Sequence, residues 1–265
     1  MKLVVWFREV DKDDVGLVGG KGANLGELTK TGAPVPPGFI LTSHAYFRFL
    51  EESGLTAKIR DLLQGLDVND SARLQRVAGQ VKDAIVAAAM PSEVAADVAR
   101  AYRETGEGPV AVRSSATAED LAEASFAGQQ STYLNVSGEQ EVLKAVQACW
   151  ASLFEARAIF YREQGGFDHL KVGIAVVVQH MVQSQRSGVL FTLEPVTGDR
   201  AKVVIEAVYG LGEAVVSGVV TPDMYVVDKG SLSVMEKTIA RQEQQLVRNV
   251  EAAAGAENNV WLSLA

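Results

Sequence analysis

The segment Val18-Gly19-Gly20-Lys21-Gly22-Ala23-Asn24-Leu25-Gly26-Glu27 sets one lysine among four glycines and runs on into residues of helical character. Glycine lets backbone N–H groups approach an anion with no Cβ in the way. A helix N-terminus adds partial positive charge, and lysine adds a mobile full charge. Together these are the parts of a polyphosphate site. A structural turn carrying a surface lysine fits the spacing equally well. About ninety residues later comes Arg113, in Ala111-Val112-Arg113-Ser114-Ser115. It sits at the expected end of an apolar strand, beside two hydroxyl residues, and its guanidinium fork suits phosphate oxygens. The competing role for Arg113 is an ion pair with Glu119 or Asp120. Gln179 follows a strand apolar on both faces, and a buried amide must find partners. Adenine or ribose edges are one set of partners and core hydrogen bonds another.

Several chemistries are excluded. The glycine–lysine segment is not a P-loop, because Gly22 stands where that motif needs Ser or Thr. It is not a dinucleotide fingerprint either, since Gly20, Gly22 and Gly26 have the wrong spacing. His44, His169 and His180 stand alone, with no second histidine at metal-ligand spacing. No Ser/His/Asp or Cys/His arrangement is visible. Cys149 falls on the apolar face of a helix and is read as a small buried hydrophobe. In Gly210-Leu211-Gly212-Glu213 the glycines imply backbone close to a ligand or a neighbouring loop. Glu213 is read as a helix-start carboxylate in preference to a metal ligand.

These residues need elements to position them. Leu3 to Phe7 reads as a short buried strand, Asp11 to Asp14 as a turn and Ala23 to Thr29 as a helix. Pro34 to Gly38 is a rigid break, followed by a strand over Phe39 to Thr42 and a helix N-capped by Ser43. From about 54 to 104 the pattern is helical, with Leu74, Val77, Ala78, Val81 and Ile85 on one face. Val110 to Val112 predicts a short strand, 114 to 128 an acidic loop, and Thr132 to Val136 another strand. Ser137 to Gln140 matches a capping box opening an amphipathic helix. Val172 to Val178 predicts a central covered strand. Ser187 to Thr192, Lys202 to Glu206, Met224 to Asp228 and Ser233 to Ile239 follow as strands, and the tail from Glu251 has no clear ending.

The chain has 265 residues, 48% of them hydrophobic, with a formal net charge of −8. That is ample for a core. So acidic a chain has no general attraction for nucleic acid or anionic membranes, so a phosphate site must be local. One cysteine cannot form an internal disulfide, which points to a reducing cytoplasm. No apolar run is long enough to span a membrane.

The glycine–lysine segment and Val35-Pro36-Pro37-Gly38-Phe39 resemble the opening of the phosphoenolpyruvate synthase and pyruvate phosphate dikinase group. Ala111 to Asp120, Ala124 to Gln130, Cys149-Trp150-Ala151-Ser152-Leu153-Phe154, Gln179-His180-Met181-Val182 and Gly210 to Glu213 continue the likeness, in order, from about Trp6 to Val227. The Trp6-Phe7 start leans toward phosphoenolpyruvate synthase. Rifampicin phosphotransferase shares the same nucleotide module, and a stand-alone non-catalytic module is a further alternative. The resemblance implies an α+β, ATP-grasp-like nucleotide domain: a helical lobe plus a mainly antiparallel sheet, truncated on its C-terminal side. Residues 1–108 would form the N-terminal lobe, 109–240 the rest of the nucleotide-binding region, and 241–265 the tail of an incomplete subdomain. Lys21 and Arg113 would bind ATP phosphates and stabilise charge in phosphoryl transfer, with further nucleotide contacts at Gly128, Thr132, Tyr133 and Gln179. Magnesium would bridge the phosphates on family ligands beyond this chain. The carrier histidine and the pyruvate site would also lie in other domains, so this chain alone would not complete the reaction of ATP, pyruvate and water to AMP, phosphoenolpyruvate and phosphate.

Overall fold

The computed structural model describes residues 1–117, 131–251 and 257–264. The chain forms two compact units, 1–181 and 182–265. The first is built on a five-stranded antiparallel sheet. Its strands are β1 (Val4–Trp6), β2 (Gly38–Leu41), β3 (Val110–Ala116), β4 (Thr132–Val136) and β5 (Ile174–His180), in the order β1-β2-β5-β3-β4. As its unbroken apolar run requires, β5 is central. Strands from both sides of residue 108 share this sheet.

Strand alternation gives the sheet two apolar faces. Phe39, Leu41, Val110, Val112, Val176 and Val178 join one core with Tyr46, Phe49, Trp150 and Phe154. That face is covered by α2 (Ser43–Glu52), α3 (Leu55–Leu63), α4 (Ser71–Ala87), α5 (Ser92–Glu104), α6 (Glu139–Ala151) and α7 (Ala156–Gln164). Ile40, Ala175 and Val177 face the other way, onto Val18 and Ala23 of α1 (Val15–Lys30).

Local details differ from the sequence expectations. The glycine–lysine segment spans a break in α1: two helical stretches meet at the non-helical Gly19 (φ 68°, ψ 169°), and Lys21 lies at the start of the second. Strand β3 runs on to Ala116, so Arg113, Ser114 and Ser115 belong to the strand and not to a following loop. Thr42, not Ser43, occupies the N-cap of α2, and the Ser43 hydroxyl donates to Gly16 O. The capping box at Ser137 does not form, because Gly138 takes the N-cap of α6 at φ 91°.

In the second unit, β6 (Arg186–Phe191), β7 (Lys202–Tyr209), β8 (Asp223–Asp228) and β9 (Val234–Thr238) form an antiparallel meander, with the short α8 (Glu213–Val216). Past residue 240, β10 (Gln244–Arg248) and β11 (Asn259–Ser263) pair as a ladder that sequence periodicity did not reveal. Among the described residues no helix is long and apolar enough to cross a membrane.

One buried charge has a measurable consequence. Arg162 is fully buried; its Nε donates to His169 Nδ1 at 3.0 Å and its Nη2 to Leu153 O at 2.6 Å. His169 therefore carries its proton on Nε2, facing Glu163 at 3.2 Å. Burial and the Arg162 charge hold His169 below its ordinary value of 6.5, against the opposing pull of Glu163 and Asp168. A histidine kept neutral in the fold contributes stability that is fully present above about 6.5 and is lost as pH falls toward the folded-state value. Unfolding free energy measured in denaturant should drop between about pH 7 and pH 5. His169→Gln, which keeps an acceptor for Arg162 but takes up no proton, should flatten that slope; equal slopes in both proteins would overturn the assignment.

Candidate functional site

The site is built where α1 crosses β3. Side chains of Ala111, Arg113 and Ser115 alternate onto the α1 face, and Val110, Val112 and Ser114 onto the helical face. Arg113 pairs with Thr132 on β4 and Val177 on β5, and Ala111 pairs with Gln179. Arg113 and Gln179 thus share the α1 face, offset by two residues, or roughly 7 Å along the strands.

Lys21 reaches the same strand from above. Its Nζ donates to Ser114 O at 3.1 Å, one residue from Arg113. One turn of α1 is fastened beside it, where the Ser115 hydroxyl donates to Val18 O at 2.9 Å and accepts from Gly22 N at 3.3 Å. Sequence reasoning noted Ser114 and Ser115 only as hydroxyl neighbours of Arg113. Nothing in the spacing of residues 21 and 115 signals that they meet.

The glycines have a structural task. A Cβ at Gly19 would collide with the Ser115 hydroxyl and carbonyl. One at Gly22 would press on Ile40 Cδ1 at 3.1 Å, and one at Gly26 on the Val10 backbone. Three of the four glycines are buried, and they serve close approach of α1 to its surroundings, not an open anion collar.

The remaining expected residues are dispersed. Thr132 is exposed opposite Arg113. Tyr133 pairs with Val112 and packs against the helical-face core, so its ring lies on the other side of the sheet from Lys21 and Arg113. Burial raises its phenol, against the lowering effect of a hydrogen bond with Ser131. Gln179 donates from Nε2 to Pro36 O at 3.1 Å, a backbone partner in the proline break. His180 has a buried Nε2 with no hydrogen-bond partner among the described residues. Gly128, with Glu119 and Asp120, lies outside the described residues. Cys149 is buried on the α6 face; burial pushes its thiol well up, outweighing the Lys21 charge that lowers it. It is an inert core residue.

In the second unit, Gly210 (φ 79°) packs against the Leu246 backbone, and the Ser184 and Ser187 hydroxyls donate to Gly210 O at 3.0 and 2.7 Å. Its glycine is explained by a neighbouring strand. Glu213 is a first-turn carboxylate of α8. Among the described residues no three His, Cys, Asp or Glu side chains gather to hold a metal ion. A cleft of about 450 Å³ lies between Trp6–Arg8, Pro36–Gly38 and the end of α5, and it includes neither Lys21 nor Arg113.

Residues 15–262 match the family model described as "Pyruvate phosphate dikinase, AMP/ATP-binding domain". The chain is 52% identical to a "Probable phosphoenolpyruvate synthase" of Methanothermobacter thermautotrophicus over 94% of its length and 37% of that protein's. It is 50% identical to one of Methanocaldococcus jannaschii, over 94% of this chain and 22% of the relative. With the "Phosphoenolpyruvate synthase" of Pyrococcus furiosus it shares 46% identity, over 96% and 36% respectively. The chain thus spans about a third or less of the length of these relatives. With a match that covers nearly the whole chain, and relatives about half identical to it, the chain belongs to the pyruvate phosphate dikinase AMP/ATP-binding domain family.

Proposed function

We propose that this chain is the ATP-binding portion of a phosphoenolpyruvate synthase, with an ATP-grasp-like nucleotide site in which Lys21 and Arg113 hold the polyphosphate. The observation that carries this is the Lys21 Nζ–Ser114 O bond, which delivers an ammonium to the residue next to Arg113. Phosphoryl transfer asks little covalent chemistry of a protein, and mostly needs positive groups fixed around the transferring phosphate. An arginine on β3 and a lysine whose ammonium reaches that strand from α1 answer that need. The relatives named above are phosphoenolpyruvate synthases, which favours pyruvate over a drug hydroxyl as the final acceptor.

In this reading Lys21 gives a phosphate oxygen a charge-assisted hydrogen bond, one of the stronger kinds. Arg113 offers two parallel N–H groups to the same phosphate chain. Thr132 lies across the ladder from Arg113, near enough to touch a bound nucleotide, and Gln179 marks the direction of the base along β5. Tyr133, on the opposite face, supports β4 from the core side. Magnesium would take its protein ligands from a part of the parent protein outside this chain; among the described residues no acidic cluster gathers for it. The carrier histidine is assigned to a part of the parent protein outside this chain, as are the pyruvate contacts. A single buried cysteine suits a reducing cytoplasm.

Calorimetric titration of residues 1–265 with ATP should show binding that Lys21→Ala and Arg113→Ala each weaken by about 10- to 100-fold, the loss expected for a hydrogen bond to a charged group. Full affinity in both variants would refute the phosphate assignment. Given ATP, magnesium and pyruvate, the same purified chain should release no phosphoenolpyruvate; catalytic turnover would show that the carrier histidine had been sought in the wrong place.

A further inference from the structure

The kink in α1 has an unusual construction. In an unbroken helix the N–H of Gly22 would donate to the carbonyl of Val18, four residues earlier. Here the hydroxyl of Ser115, a residue of β3, stands between them, donating to Val18 O at 2.9 Å and accepting from Gly22 N at 3.3 Å. A side chain from the sheet thus inserts at this rung, at the break marked by Gly19, and side-chain insertion into the ladder is an established cause of sharp kinks. Gly19 makes this possible. Its backbone is non-helical at φ 68°, and any Cβ there would collide with the Ser115 hydroxyl and carbonyl. Ser115 is itself fully buried, so this hydroxyl does not exchange its partners for water.

Lys21 lies inside the interrupted turn, between Val18 and Gly22. Its head group ends on the carbonyl of Ser114, the neighbour of Ser115. Consecutive residues of β3 therefore hold both ends of the lysine: Ser115 fixes the backbone that carries it, and Ser114 holds its ammonium.

We propose that Ser115 is a positioning residue for Lys21: by replacing the Val18–Gly22 rung it fixes the kink that aims the ammonium at the phosphates of bound ATP. This rests on the phosphate role of Lys21 proposed above. Ser115 touches no nucleotide; it acts through the lysine. Removing the hydroxyl leaves Val18 O and Gly22 N buried without their partner, and the least costly repair is to close the rung directly, which straightens α1 and withdraws Lys21.

The test is a double-mutant cycle on ATP affinity with residues 1–265: the unmodified chain, Ser115→Ala, Lys21→Ala and the double variant. Ser115→Ala should weaken ATP binding by about tenfold, and should cost nothing further once Lys21 is already alanine, because residues acting as one unit are not additive. Ser115→Cys keeps the volume and a weak donor. It should fall between the two, and it takes the place of the alanine variant in the cycle if that variant does not fold. An unchanged ATP affinity in Ser115→Ala would overturn the proposal. So would the same fold-loss with and without Lys21, which marks Ser115 as structural only. If Lys21→Ala itself leaves ATP binding intact, the phosphate role of the lysine fails first, and the role of Ser115 fails with it. A loss in Lys21→Ala without coupling to Ser115 leaves the phosphate role standing and removes this inference alone.

Discussion

Everything at the candidate site depends on how closely α1 lies against its sheet. A helix ordinarily keeps its axis at the distance its side chains dictate. Here the buried glycines at 19, 22 and 26 remove those side chains along one stripe. Ser115 can then enter the helix, Ile40 can lie under Gly22, and the Val10 backbone can lie against Gly26. This closeness has a cost, since each glycine weakens a helix by about 1 kcal/mol relative to alanine. The offset comes from the apolar contacts of Val18 and Ala23 with Ile40, Ala175 and Val177, and from the bond that Ser115 makes in place of the lost rung.

The sheet has its own constraint. A strand buried on both faces must be apolar at every position, and β5 is apolar from Ile174 to Val178. Polar residues then return at Gln179 and His180, where β5 meets the proline break and where Pro36 and Pro37 carbonyls accept from the Gln179 side chain and the His180 N–H. On β3 the same rule is broken earlier, at Arg113, Ser114 and Ser115. Hydroxyls at 114 and 115 are tolerated in full burial because each has backbone partners: Ser131 O for Ser114, and Val18 O and Gly22 N for Ser115.

Much of this was legible in the sequence, for reasons that follow from periodicity. Helices α4 and α5 repeat at 3.6 residues over enough length to be read directly, β5 shows as an unbroken apolar run, and the four strands of the second unit's meander fall between turn residues. What periodicity misses is contact between distant segments. The glycine–lysine stretch has the composition of a loop, and its fit against Ser115, over ninety residues away, accounts for the break at Gly19 that composition alone does not place. Strand β3 was cut short at Val112 because three polar residues follow, and their satisfaction by α1 and Ser131 is a tertiary fact. Tyr133 shows the same limit: its neighbour Thr132 pairs with Arg113, so a one-residue step sends it to the opposite face. The β3–β4 register also shifts between Val110 and Val112, where Asn135 takes a positive φ of 55°, and no pattern of residue types announces that bulge.

The acidity of the chain sharpens what positioning must achieve. At a net charge of −8 the protein as a whole repels a polyanion, and salt screens that repulsion only beyond about 8 to 10 Å. Long-range steering therefore works against any phosphate ligand. Attraction must come at contact, from hydrogen bonds made by a very few cations, and such bonds weaken steeply when geometry departs from the ideal. A flexible surface lysine would meet this demand poorly, because ordering its side chain consumes much of the gain. Lys21 is already ordered: its backbone is fastened at Ser115 and its ammonium rests on Ser114 O, so under the proposed phosphate role little of its freedom would remain to be lost on binding. In that role the kink would do in an acidic protein what a broad positive surface does in a basic one.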